Sequence, residues 1–166
     1  MSVDRLVAPL FVGFALIVSA PAAAREALGI FGTWGAFRDA RPPRCFAIAE
    51  PAGAPRGEWR PFLSVARWPA RGVAGQIHVR LSRARAAGAP VYVTIGSFKA
   101  RLVAGGVDGW AADARADAAI VAAMRGGDRL VVTSNGVDGR RFTDVYPLRG
   151  AATAIDAATL ACAKRG

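Results

Sequence analysis

A mainly β protein is what this sequence predicts: an antiparallel β-sandwich or barrel of about eight strands with two short helices, one of them C-terminal. Three observations lead there. Short runs alternate apolar and polar residues, Gly- and Pro-rich breaks separate the runs, and only two stretches repeat with helical spacing. Residues 25–166 are enough for one domain of ordinary size with its own hydrophobic core.

Residues 1–24 read differently from the rest. Arg5 precedes an apolar run from Leu6 to Val18, and small residues follow, ending in Ala22, Ala23 and Ala24. These are the parts of a secretory signal peptide, with cleavage expected after about Ala24 and a periplasmic or secreted mature chain. The competing reading is a retained anchor, but a spanning helix needs about 20 apolar residues and the run is shorter. No later stretch is long and apolar enough to span a bilayer.

The strands follow in order. FGTWGAF (31–37) opens the domain, and in RCFAIAE (44–50) Phe46 and Ile48 alternate with Cys45, Ala47 and Ala49, as on a buried strand. EWRPFLSVARW (58–68) is the third. Prolines at 42, 43, 51, 55 and 61 predict an irregular loop before it, and Pro61 hints at an edge strand. In GQIHVRLS (75–82), Ile77, Val79 and Leu81 take one face and Gln76, His78 and Arg80 the other. PVYVTIG (90–96), SFKARLVA (97–104), RLVVTSN (129–135) and RRFTDVYPL (140–148) complete the set, with Asn135-Gly136 and Asp138-Gly139 marking a tight reversal between the last two. GVDG occurs at 106–109 and 136–139 with unrelated flanks, which makes two turns and not a repeat.

The first helix is predicted from about Ala114 to Arg125. Asp113 is its N-cap, Ile120, Val121 and Met124 form its apolar side, and Gly126-Gly127 is its stop. The second is the terminal helix, where Thr153 with Asp156 reads as a capping box and Lys164 and Arg165 suit the last turn. On that helix Ala151, Ile155, Ala158, Thr159 and Cys162 share one face.

The chain has two cysteines, Cys45 on a buried strand and Cys162 on the apolar face of the last helix. After export two thiols in one small domain usually pair, so a Cys45–Cys162 disulfide is expected; two separately buried free thiols are the alternative. A catalytic thiolate would want a nearby His or other cation, and the single histidine has a simpler explanation.

The chemistry is sparse. Lys and Arg number 22 against 12 Asp and Glu, a formal charge of +10, and all the cations but Lys99 and Lys164 are arginine. They are spread along the chain, unlike a nucleic-acid patch, and favour anionic envelope lipid, lipopolysaccharide or acidic glycan as partners. His78 reads as a solvated residue, and one histidine cannot assemble a usual transition-metal site. No nucleophile elbow, phosphate loop or metal motif occurs, so neither catalytic residue nor cofactor is assigned. Glu50 and Glu58 could flank a glycan, but nothing fixes their separation. In WRPFLSVARWPAR, Trp59 and Trp68 are interleaved with Arg60, Arg67 and Arg71, a pattern that can stack on sugars or sit at a lipid interface. The plainer reading packs Trp68 inward and solvates the arginines, and Trp34 and Trp110 read as core.

With the N-terminal segment, FGTWGAF, RCFAIA, AAMRGGDRLVV (122–132) and PLRGAATAIDAA (147–158) taken together, the chain resembles the invasion-associated locus B family of exported bacterial proteins. The resemblance runs in order from Phe31 to Cys162. It departs from the family's pattern at KARLVAGGVDGWAADA (99–114), which lacks the additional cysteine pair. The resemblance implies a periplasmic or surface β-rich domain associated with host-cell invasion and brings no catalytic residues. The expected function is therefore a non-enzymatic envelope protein that binds an envelope component or protein partner. A small hydrolase acting on envelope glycan or lipid is the alternative, and an accessory subunit a third.

Overall fold

The computed structural model describes residues 25–53 and 59–163. The predicted signal peptide, Glu58, Lys164 and Arg165 lie outside the described residues. Ten strands and two helices follow one another as β1 (Glu26–Phe31), β2 (Trp34–Ala40), β3 (Pro43–Ala49), β4 (Phe62–Trp68), β5 (Val73–Arg80), β6 (Val91–Ile95), β7 (Phe98–Gly105), β8 (Asp108–Trp110), α1 (Ala114–Gly126), β9 (Arg129–Asn135), β10 (Arg141–Pro147) and α2 (Ala151–Ala163). The chain is thus mainly antiparallel β with two helices, one C-terminal, as expected.

The strands form one continuous sheet in the order β1-β2-β3-β4-β5-β8-β7-β6-β9-β10, open between β1 and β10 and so not a closed barrel. Among the described residues there are ten strands instead of about eight, for two local reasons. The run FGTWGAF spans a turn at Gly32-Thr33 and belongs to two strands, and Asp108–Trp110 is too short for alternation to register. Pro61 does not mark an edge. It lies one residue before β4, an interior strand, where its missing N–H removes no rung of the ladder.

The sheet curls about one core. Leu63 and Val65 of β4, Ile77 and Val79 of β5, Val91 and Val93 of β6 and Leu130 and Val132 of β9 join Ile120 and Met124 of α1 and Ala154 and Ile155 of α2 in a single buried cluster. Each fully buried Leu, Ile or Val side chain contributes about 1.5–3 kcal/mol. Trp34 is wholly buried, as expected, and its indole Nε1 donates to the Pro147 carbonyl at 2.8 Å, tying β2 to β10 although these strands do not pair. At the same end the backbone at Gly150 runs against the Phe31 carbonyl, where any Cβ would overlap it.

α1 forms as predicted, with Asp113 accepting from the Ala116 N–H at 2.8 Å. α2 starts earlier than the capping-box reading places it. Its first residue is Ala151, so Thr153 lies inside the helix, and Asp156 instead accepts from Arg125 of α1 at 2.6 Å. Disulfide Cys45–Cys162, with Cα atoms 5.9 Å apart, joins α2 to β3. Both helices pack on the inner face, leaving the outer face of the sheet uncovered by either.

Candidate functional site: the outer face of β2–β5 and β8

Alternation fixes which side chains reach the outer face. Across β2, β3, β4 and β5 the register aligns Phe37, Phe46, Ala66 and Gln76 in one row, and Gly35, Ile48, Ser64 and His78 in the next, which continues to Trp110 of β8. The face therefore carries rings with small residues between them.

Guanidinium groups fill the spaces between several of these rings. Arg25 lies 5.1 Å from the Phe46 ring centre and 5.9 Å from that of Phe37. Arg44 lies 4.7 Å from Phe46 and 5.2 Å from Trp68, and Arg71 lies 4.9 Å from Trp68. Asp39 holds two of the cations, accepting from Arg25 Nε and Arg44 Nε at 2.8 Å each. The Arg25 hydrogen bond, helped by Arg44, keeps Asp39 below the usual carboxylate range although burial opposes it. The result is a ladder of aromatic rings and arginines, each contact worth about 0.5–1 kcal/mol where exposed.

Next to the ladder lies a compact polar group. His78 hydrogen-bonds from Nε2 to Asp108 Oδ1 at 2.8 Å, and Arg80 reaches both oxygens of Asp108, Nε at 3.0 Å and Nη2 at 3.3 Å. The His78 ring stacks on Trp110 at 5.0 Å and meets Phe62 edge-on at 4.9 Å. Burial raises the pKa of Asp108, but the hydrogen bonds from Arg80 and His78 outweigh it and hold the carboxyl below its ordinary value. His78 is thus not a solvated histidine, because it has a ring on each of two sides and a carboxylate partner. Trp110 is half-buried on this face and not in the core. Among the described residues no hydroxyl or thiol hydrogen-bonds to His78, and no group of His, Cys, Asp and Glu is placed to hold a metal ion.

The residues singled out from WRPFLSVARWPAR separate. Trp68 is on the outer face, half-buried, and donates from Nε1 to Gln76 Oε1 at 3.0 Å; Arg71 is exposed beside it. Trp59 donates to the Leu81 carbonyl at 2.7 Å, at the other end of β5, and Arg60 is exposed and paired with Glu50 at 3.3 Å. Arg67 sits opposite Cys45 in the β3–β4 register and shares its face, the one α2 covers, because neighbours along a strand point to opposite sides. The continuous run in sequence is therefore not one surface. Sequence reasoning missed Phe37, Phe46, Arg25, Arg44 and Asp39. The signal that could have found them is the matched alternation of WGAFRDA and RCFAI about a tight hairpin.

Fold and face together describe a disulfide-clasped, curled antiparallel sheet with an outward aromatic and basic surface. Comparison with protein-family models, with curated proteins and with solved structures finds no match to this chain.

Proposed function

We propose that the chain is a non-enzymatic exported envelope protein that binds an envelope component or protein partner through the aromatic and basic outer face of β2–β5. The observation that carries this reading is the ladder of Phe37, Phe46 and Trp68 with Arg25, Arg44 and Arg71 on a sheet face that neither helix covers. Phe46 is only 5% exposed, with two guanidinium groups beside its ring, so the half-buried Phe37 and Trp68 present the apolar area and the arginines the positive charge to an anionic partner. Export and signal cleavage after about Ala24 are in keeping with the disulfide, since such bonds persist in oxidising compartments. The resemblance to the invasion-associated locus B family leads to the same setting.

The test is sedimentation of the folded, oxidised protein with isolated bacterial envelopes. Trp68→Ala combined with Arg71→Ala is expected to reduce the bound fraction, with thermal unfolding as the check on folding. Equal binding by the folded variant would remove the face from consideration.

The hydrogen-bonded His78–Asp108 pair favours one other reading, a small hydrolase acting on envelope glycan or lipid. Turnover of such a substrate that is lost in His78→Ala would establish it, and an inactive wild-type protein would leave the binding role standing.

A further inference from the structure

The far half of the sheet carries a different outer surface. On β7, β6, β9 and β10 the core residues Leu102, Val91, Val93, Leu130, Val132, Phe142 and Tyr146 point inward, so alternation turns Lys99, Arg101, Arg129 and Arg141 outward, and all four are exposed. No carboxylate joins them on these strands. Asp128 and Asp138 sit in turns, and Asp144 is buried on the inner side. Several cations elsewhere have acidic partners, as in Arg25–Asp39, Arg38–Glu26, Arg80–Asp108 and Arg125–Asp156, whereas among the described residues no ion pair involves any of these four. Like charges gathered on one face repel, and a bound polyanion relieves the repulsion.

The spaces between the cations are filled by hydroxyl and amide groups. The register aligns Arg101, Tyr92, Thr133 and Thr143 across four strands, with Thr94 opposite Lys99 and Asn135 opposite Arg141. Tyr92, Thr94, Lys99, Thr133, Asn135 and Arg141 line a depression of about 220 Å³, and Lys99 Nζ lies 4.4 Å from the Tyr92 ring centre at its rim. Neighbouring strands are about 4.8 Å apart, comparable to the length of one sugar ring. A chain lying across the strands would meet a hydroxyl or a cation at each step. A membrane surface fits less well, because the apolar side chains facing out here are Val103, Val131, Val145 and Pro147, with no Trp or Phe to insert.

We infer that the outer face of β7–β6–β9–β10 is a binding surface for an acidic polysaccharide, with Lys99, Arg101 and Arg141 meeting carboxylates and Tyr92, Thr94 and Thr133 meeting sugar hydroxyls. The proposed export provides the setting, but this surface is separate from the ladder face, and binding is measurable on the purified chain. The probe is polygalacturonate, titrated by calorimetry against the oxidised protein, with neutral dextran and phosphatidylglycerol vesicles alongside. Binding to polygalacturonate but not dextran is expected, weakened roughly tenfold or more in Lys99→Glu with Arg141→Glu. Arg115→Glu with Arg125→Glu makes the same change in net charge on α1, which packs on the opposite, inner face, and is expected to bind nearly as wild type. No binding by wild type, equal loss in both double variants, or binding to vesicles but not to the polymer would each overturn the inference. Trp68→Ala with Arg71→Ala is expected to keep polygalacturonate binding even where envelope association is lost, which separates this proposal from the ladder-face reading.

Discussion

The Asp117 carboxylate on α1 accepts the Ile77 backbone N–H of β5 at 2.7 Å, so a helix side chain completes the hydrogen bonding of a strand. Replacing it with Ala leaves a buried N–H without a partner. Asp117→Ala is expected to cost about 1–3 kcal/mol in urea unfolding, and Asp117→Asn, which keeps an acceptor oxygen, distinctly less.

The carboxyls also set opposite trends with pH. Burial pushes Asp117 and Asp144 above their ordinary pKa, while Arg25 holds Asp39 below its own. As pH falls from neutrality toward the unfolded value of 3.8, Asp117 and Asp144 take up protons in the folded state first, and stability rises. Below 3.8 the unfolded chain binds protons that folded Asp39 and Asp108 resist, so stability falls as pH drops through their lowered values. A maximum on the acid side of neutrality is expected in melting temperature against pH, and Asp117→Asn should flatten its neutral-side slope.

Removing the disulfide tests the clasp. Cys45 and Cys162 are 117 residues apart, and closing a loop of that order stabilises by about 4–5 kcal/mol in the chain-entropy model. Cys45→Ala with Cys162→Ala is expected to lose about 2–5 kcal/mol in denaturant unfolding. Full reduction should bring the wild type to nearly the same midpoint.

Two glycines with positive φ separate crowding from backbone strain. Gly150 has φ +89° and its absent Cβ would overlap the Phe31 carbonyl, whereas Gly53 has φ +66° and, among the described residues, nothing within 4 Å of that position. Gly53→Ala is expected to cost about 1 kcal/mol from left-handed backbone alone. Gly150→Ala should lower the melting temperature more, because the β1–β2 turn must move as well.

Much of this fold is legible in the chain because its signals are local. Inward positions such as Leu63, Val65, Ile77 and Val79 follow from alternation, and α1 follows from Asp113 and the Gly126-Gly127 stop. β1 was hidden by its register shift between Ala27 and Gly29, which breaks the period of two. The partners of Asp156 and His78 are 31 and 30 residues away, so their pairing depends on folded geometry and leaves no local mark. The ladder was hidden for the same reason: its members come from β2, β3, β4 and the segments beside them, and only the register brings them together. Arg67 illustrates the converse, since adjacency in sequence to Trp68 sends it to the other side of the sheet.

Pulled at Arg25 and Ala163, this molecule would carry load along a short covalent path. Tension applied at Arg25 and Ala163 passes from β3 straight to α2 through the sulfur bridge, so only the stretch before Cys45, roughly 70 Å when fully drawn out, can pay out. Everything between residues 45 and 162, including both outer surfaces beyond β3, lies off the line of force. A protein tethered at one end and gripped at the other would peel β1 and β2 while the rest kept its shape.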